Sequence, residues 1–168
     1  MEIKEYFSRV RRGDKEAFAY IYNELKSPVF TIACRIVQSK EAAEDITHDV
    51  FVRLFASPPD PTVKNPRAWV FQITRNLAID VTRAKQSVSL DDVQLSAEDD
   101  FDDTLIRLDI ETAICRLPRE EREILSLHLN GLLGFSEIAH IVGLSLPAVY
   151  RKYRKAIGTL QKYLGGAL

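Results

Sequence analysis

The chain has 168 residues, 46% of them hydrophobic and 28% charged, with a formal net charge of −1. This apolar content supplies a hydrophobic core and excludes a wholly disordered chain, and no apolar run approaches the roughly 18 residues that a membrane helix needs. The charged N-terminus lacks the apolar stretch of a secretory signal, so we expect a cytoplasmic protein without membrane insertion. The isolated Cys34 and Cys115 have no zinc-binding or disulfide spacing.

The near-zero net charge hides an uneven distribution along the chain. Residues 1–85 carry a net charge of +3, residues 86–104 carry −7 with no basic side chain, and residues 105–168 carry +3. The middle segment also lacks helical periodicity, which predicts an acidic, flexible linker between two small modules. The two basic ends favour nucleic acid as a partner.

Both modules are predicted to be helical, so the expected fold class is all-α. In the first module, Asp14, Ser39 and Asn65 stand where a helix would begin. Ser27-Pro28 offers a cap followed by a first-turn proline, which predicts that one helix ends before it and another starts there. Apolar residues follow each of these positions at helical spacing.

The strongest local pattern lies in the second module. Ser136 is predicted to start a short helix, Gly143 to turn the chain, and Ser145 to cap the last helix, a spacing typical of a helix-turn-helix. An ordinary helical hairpin is the alternative. The basic character of the last helix favours the DNA-binding motif.

The last helix is predicted to enter the major groove of DNA. At about 100° per residue it presents one outward face, formed by Tyr150, Arg151, Arg154 and Lys155. Its inward stripe consists of Val149, Tyr153, Ala156 and Leu160. Arginine can donate two hydrogen bonds to guanine, and lysine neutralises phosphates. The alternative is a basic helix face that is merely solvated.

Several motifs resemble those of bacterial sigma factors. Residues 43–55 (AEDITHDVFVRLF) and 68–83 (AWVFQITRNLAIDVTR) resemble the second conserved region of that family. Leu117-Pro118 with Arg122, followed by the helix-turn-helix, resembles the fourth region. The order of the motifs, the short linker, and the expected lack of an N-terminal extension or third domain resemble the extracytoplasmic-function group. The resemblance covers nearly the whole chain.

This resemblance implies a protein that binds core RNA polymerase and directs promoter-specific initiation. It implies that Asn76, with the loop before its helix, holds a flipped base of the melted non-template strand at the minus-ten element. Nearby cations would contact the phosphates of that strand: Lys64, Arg67, Arg75 and Arg83. Trp69 and Asp80 on the same helix are expected instead to belong to a packed, hydrogen-bonded helix edge.

A further surface is predicted on the helix after Ser39. One face carries Asp45, His48 and Asp49, while the opposite face is predicted to be core and consists of Ile46, Val50 and Leu54. The resemblance implies that the acidic face docks on the clamp helices of the largest polymerase subunit. A solvated face is the alternative. The family usually has glutamine where this chain has His48.

The resemblance also implies that the last helix reads duplex DNA upstream, although Pro147-Ala148-Val149 replaces the Gly-Thr-Val that commonly starts it. An anti-sigma factor is the remaining implied partner. The sequence has no phosphate-binding glycine loop, no nucleophile elbow, and no pair of histidines at the spacing of metal ligands. We therefore predict that the protein is not an enzyme and has no catalytic residue. We also predict no metal, no cofactor and no small-molecule substrate. The alternative function is a stand-alone helix-turn-helix regulator that is not a polymerase subunit. The Asn76–Asp80–Arg83 pattern of the first module argues against this alternative.

Overall fold

The structure is a computed structural model that describes residues 2–88 and 105–165. Within these ranges the chain forms helices and no strand, which confirms the predicted all-α class. The helices are α1 (Ile3–Arg11), α2 (Lys15–Val37), α3 (Lys40–Ala56), α4 (Pro66–Val88), α5 (Leu105–Cys115), α6 (Arg119–Leu129), α7 (Phe135–Val142) and α8 (Leu146–Gly165). The predicted linker, residues 86–104, lies outside the described residues except for 86–88, which continue α4. None of the described helices is long and apolar enough to cross a membrane.

Side-chain caps begin three helices of the first module, as predicted. One carboxylate oxygen of Asp14 accepts hydrogen bonds from two first-turn N–H groups of α2, at 3.0 and 3.1 Å. Ser39 Oγ accepts from the N–H of Ala42 at 3.3 Å, and Asn65 Oδ1 accepts from the N–H of Ala68 at 3.1 Å. These bonds satisfy N–H groups that the helix itself leaves unpaired, so the starts of α2, α3 and α4 are fixed locally.

The predicted helix boundary at Ser27-Pro28 is wrong. α2 continues unbroken through this position, with Pro28 inside it. A proline inside a helix removes one hydrogen bond and crowds the preceding turn, which costs about 3 kcal/mol. Leu25, Val29 and Ile32 around it are fully buried, and each such side chain contributes about 1.5–3 kcal/mol on burial. Tertiary packing of α2 therefore outweighs the local helix break.

The first module consists of α1 to α4, with α2 in contact with each of the other three. The predicted core positions of α3 are all buried: Ile46, Val50 and Leu54. Phe7 of α1 and Phe71 of α4 are also completely buried, so α1, which was not predicted, closes one side of this core. The arrangement leaves the opposite face of α3 exposed.

The second module consists of α5 to α8 and contains the predicted helix-turn-helix. α6 begins directly after Leu117-Pro118, as predicted, whereas α7 begins at Phe135 rather than at Ser136. The chain turns at Gly143 with φ of +70°, a conformation that glycine adopts without steric cost. Ser145 Oγ accepts from the first turn of α8 at 3.3 Å, which confirms its predicted role as a cap. α5 was not predicted.

The two modules pack against each other. α2 lies against α6, and α4 contacts α7. One apolar cluster continues from the first module into the second and includes Ile36 of α2 with Ile124 and Leu127 of α6. This packing brings residues of α4 that were predicted to contact DNA next to the second module.

Candidate nucleic-acid interfaces

The predicted outer face of α8 is exposed. It carries Tyr150, Arg151, Arg154 and Lys155. On the opposite side Val149 and Ala156 are fully buried, which fixes the orientation of the helix. The guanidinium carbon of Arg154 lies 5.8 Å from the centre of the Tyr150 ring, within the range of a cation–π interaction. The face therefore offers cations together with an aromatic ring.

A cluster of aromatic rings, which was not predicted from the sequence, packs against the start of α8. His128 of α6 stacks on Phe135 of α7 with ring centres 4.6 Å apart. Phe135 also contacts Tyr150 and Tyr153 of α8, with ring centres at 5.7 and 5.0 Å. Each such aromatic pair contributes about 0.5–1.5 kcal/mol beyond its buried area. The cluster thus links the helix-turn-helix to the outer face of α8.

Two lysines of α8 are paired within the second module. Lys152 Nζ lies 2.7 Å from a carboxylate oxygen of Glu120, and Lys155 Nζ lies 3.4 Å from one of Glu121. The hydrogen bond from Lys152 lowers the pKa of Glu120. Lys155 is therefore partly neutralised. The cations of the outer face without an ion pair among the described residues are Arg151 and Arg154.

The predicted minus-ten residues fall into two groups, of which the first is exposed. Asn76 and Arg83 on α4 and Lys64 in the preceding loop are accessible. That loop contains a turn in which the Asp60 carboxylate accepts from the N–H and the hydroxyl of Thr62, at 2.8 and 2.7 Å. These bonds lower the pKa of Asp60. The exposed amide of Asn76 can both donate to and accept from the edge of a base.

The second group, Arg67 and Arg75, is half-buried against the second module. Arg67 Nε donates to the carbonyl oxygen of Gly131 at 2.8 Å, and its guanidinium carbon lies 5.5 Å from the centre of the Phe71 ring. Burial lowers the pKa of Arg67, although a guanidinium stays protonated in proteins. Arg75 Nε lies 3.0 Å from Glu123 Oε2. In this structure both arginines are bound to protein acceptors.

The predicted acidic face of α3 is exposed at Asp45, His48 and Asp49. Beside it, an apolar groove of about 640 Å³ lies between α2 and α3, with walls that include Phe18, Tyr22, Phe51, Val52 and Phe55. The Phe55 side chain is 60% exposed. The groove was not predicted from the sequence. The available signal is the pair of phenylalanines four residues apart on α3, Phe51 and Phe55.

Three charged side chains are buried at the boundary between the modules. They are Arg35, Arg122 and Glu123, with exposed fractions of 7%, 7% and 1%. Arginine and glutamate are almost never fully buried unless they are paired. No role was predicted for Arg35 or Glu123 from the sequence. The available signal is a single arginine within the apolar run Ile32–Val37 of α2.

Two family models match the chain. Sigma-70 region 2 matches residues 21–88, and Sigma-70, region 4 matches residues 107–160. The chain is 24% identical to the ECF RNA polymerase sigma factor SigW of Bacillus subtilis, over 98% of this chain and 97% of that protein. It is also 24% identical to the ECF RNA polymerase sigma factor SigK of Mycolicibacterium vanbaalenii, over 99% of this chain and 91% of that protein.

Solved structures share the fold. One is the sigma factor RpoE in complex with the anti-sigma factor NepR from Bartonella quintana, with a TM-score of 0.72, 19% identity, and coverage of 88% of this chain and 96% of that one. Another is CnrH in complex with the cytosolic domain of CnrY, with a TM-score of 0.69, 20% identity, and coverage of 97% of both chains.

Proposed function

The chain is a sigma factor of the extracytoplasmic-function group, and we propose which of its surfaces perform the steps of initiation. As a sigma factor it is a non-enzymatic subunit that binds core RNA polymerase and directs transcription from promoters. The observation that carries our assignment is the exposed basic face of α8, the second helix of the helix-turn-helix, in a chain whose first module matches region 2.

The outer face of α8 reads duplex DNA upstream of the start site. An α-helix fits the major groove, where arginine can donate to both acceptors of guanine. We assign this role to Arg151 and Arg154, with Tyr150 positioned beside Arg154 by the ring cluster. Lys155 neutralises a DNA phosphate, and its contribution to binding is reduced because it is paired with Glu121.

The exposed part of α4 and its preceding loop hold the melted non-template strand at the minus-ten element. A flipped base needs a side chain that can bond to its edge, and Asn76 provides an exposed amide. Basic side chains along the strand neutralise its phosphates. We assign this role to Lys64, Arg67, Arg75 and Arg83.

The acidic face of α3 docks on the clamp helices of the largest polymerase subunit. Asp45, His48 and Asp49 supply charge and hydrogen bonds, which steer association with a basic surface. The adjacent groove supplies apolar area, with Phe55 as its most exposed ring. Large aromatic side chains in such positions commonly dominate binding energy.

Two further assignments complete the proposal. The protein acts in the cytoplasm, where the polymerase is located. It is bound by an anti-sigma factor, because a similar fold has been solved in complex with the anti-sigma factor NepR. The apolar groove beside α3 is the exposed surface best suited to such a partner.

Transcription in vitro tests the proposal. Core polymerase that lacks any other specificity subunit is mixed with this chain and with promoter DNA selected from a randomised pool. We expect rifampicin-sensitive initiation at one defined position on the selected templates. A stand-alone regulator would instead bind duplex DNA alone and leave core polymerase inactive, which would refute the assignment.

A further inference from the structure

A basic side chain of α1 reaches the loop that precedes α4. Arg11, the last residue of α1, donates from Nη1 to the carbonyl oxygen of Pro59 at 2.8 Å, across 48 positions of the chain. Its Nη2 donates to Ser8 Oγ, one turn earlier in the same helix, at 3.1 Å. The guanidinium is therefore oriented by its own helix on one side and bonded to the loop on the other.

The loop, residues 57–65, has few hydrogen-bond donors of its own near its start. Three of its nine residues are the prolines Pro58, Pro59 and Pro61, and proline has no backbone N–H. Pro59 is buried, while the residues that follow it as far as Thr62 are exposed. A donor from elsewhere in the fold is therefore needed to hold this part of the loop, and Arg11 supplies it.

The rest of the loop is fixed by local bonds. The N–H of Val63 donates to the carbonyl oxygen of Asp60 at 3.0 Å, which closes a turn that the bonds from Thr62 to the Asp60 carboxylate also hold. Asn65 at the far end caps α4. After the bonds from Thr62, the charge of Arg11 also lowers the pKa of Asp60. The bond to Pro59 thus completes a loop that is held at its start, its turn and its end.

We propose that Arg11 is a positioning residue for promoter melting, which fixes the loop of residues 57–65 in the shape that receives the flipped base together with Asn76. The inference rests on the proposed assignment of this loop and Asn76 to the minus-ten element. Arg11 acts through the loop and does not touch DNA itself. A loop that is ordered before DNA arrives loses less conformational freedom on binding, so more of the base contact appears as affinity.

Two other roles for Arg11 would have different consequences. A direct contact with a DNA phosphate would contribute the same affinity whether or not the flipped base is present, and its loss would reduce the salt dependence of binding. A bond that only stabilises the fold would lower the free energy of unfolding without changing how binding depends on the base. A positioning role alone couples Arg11 to the presence of the base.

The test uses holoenzyme assembled from core polymerase and the full chain. The probe is fluorescent promoter DNA in which the non-template strand of the minus-ten element is unpaired, and each base of that strand is removed in turn to leave an abasic site. The position at which natural holoenzyme loses most affinity marks the captured base. Arg11→Ala is compared with Arg12→Ala, which removes the same charge from the exposed neighbouring residue.

Arg11→Ala is expected to bind the intact strand about five- to tenfold more weakly than the natural chain, because the loop must now be ordered when the base arrives. It should bind the abasic strand with nearly natural affinity, and its salt dependence should match that of the natural chain. Arg12→Ala should behave as the natural chain on both strands. In the free chain, the amides of Thr62 and Val63 should exchange hydrogen faster in Arg11→Ala than in Arg12→Ala.

Two results would overturn the role of Arg11 alone. One is an Arg11→Ala holoenzyme whose affinity loss is absent, or is equal for the intact and abasic strands. The other is unchanged exchange at Thr62 and Val63.

If Arg11→Ala does not fold, Ser8→Ala decides the question, because it removes only the bond that orients the guanidinium. It should weaken binding to the intact strand about twofold and leave binding to the abasic strand unchanged, and equal effects on both strands would refute the proposal. A natural holoenzyme that loses no affinity at any abasic site would overturn the assignment of the loop to a flipped base as well. Failure of core-dependent initiation is a separate result, measured without these variants.

Discussion

Arg75 and Asn76 are neighbours on α4, yet they face different surroundings. Arg75 is half-buried with Nε 3.0 Å from Glu123 Oε2 of the second module, whereas Asn76 is exposed. Successive residues of a helix are rotated by about 100°, so one side chain points to the boundary between the modules and the next points to solvent. The structure thus exposes the proposed base-reading amide of Asn76, while the neighbouring Arg75, which we propose contacts a phosphate, is paired with the second module.

Replacing Asn76 with alanine is expected to reduce promoter melting. The variant loses the amide that we propose bonds to the flipped base, and such a contact contributes about 1–3 kcal/mol to base discrimination. We expect formation of heparin-resistant open complexes to fall about tenfold or more, with binding to core polymerase unchanged.

The control for this variant is Asn23→Ala, which removes an exposed amide of α2 in the same module. It should form open complexes at the natural rate. Equal rates for both variants would remove Asn76 from the base-reading site.

Neutralising two acids of α3 is expected to weaken binding to core polymerase. Asp45→Asn together with Asp49→Asn keeps the shape of the exposed face but removes its charge. Exposed ion pairs contribute about 0.2–1 kcal/mol each, so we expect an increase in Kd of about fivefold. The difference should shrink as salt is added, because salt screens charges at the surface.

Fluorescence anisotropy of labelled chain with core polymerase measures this effect. The double variant Glu5→Gln with Glu16→Gln removes the same charge from exposed positions of α1 and α2 and serves as the control. If the control variant weakens binding equally, the loss of affinity results from the change in net charge and not from the exposed face of α3.

Replacing Arg154 on α8 with alanine is expected to weaken binding of the holoenzyme to duplex upstream DNA. Arg154 has no ion pair among the described residues, and its guanidinium carbon lies 5.8 Å from the centre of the Tyr150 ring. Loss of a base contact costs about 1–3 kcal/mol and relaxes preference at one base pair. Loss of a phosphate contact would instead weaken binding to all DNA sequences equally. It would also reduce the slope of log affinity against log salt concentration by about one.

Affinity for a set of single-base promoter variants separates these two outcomes. Lys162→Ala, an exposed cation near the end of α8, is the matched control. Identical losses for Arg154→Ala and Lys162→Ala on every sequence would argue against base reading by Arg154.

The cap of α2 is expected to make stability depend on pH. The N–H of Ala17 and the side chain of Arg9 bond to Asp14 and lower its pKa below the ordinary value of 3.8. Because the folded pKa lies below the unfolded one, the stabilisation is fully present above 3.8 and is lost as the pH falls through the folded value. Asp14→Asn keeps a capping oxygen without the charge, so it isolates this effect.

Urea unfolding of both chains at a series of pH values measures the contribution. The natural chain should have the higher midpoint at neutral pH, and the difference should narrow below pH 3.8. A difference that stays constant with pH would show that the charge of Asp14 does not stabilise the folded state.

Much of the architecture was readable from the sequence because it depends on local chemistry. Asp14, Ser39 and Asn65 begin helices through bonds to their own first turns, and Gly143 turns the helix-turn-helix through its own backbone freedom. The family likewise followed from several motifs in a fixed order along the chain, each confined to one helix or to two neighbouring helices. The predicted site residues remain predictions about binding, although those predicted to lie on exposed helix faces, such as Asp45 and Arg154, are exposed.

Features that depend on residues far apart in the chain became visible only in the folded structure. Helical signals at Pro28 predicted a break, but burial of α2 on its neighbours keeps the helix whole. Nothing local to Arg35 or Arg75 indicates Asn130 or Glu123 as partners, since these lie 95 and 48 residues away. Such pairs form only where two separately predictable modules meet. Local patterns were therefore enough to identify the helices and the family, whereas the folded structure was needed to find that Arg67 and Arg75 bond to acceptors of the second module.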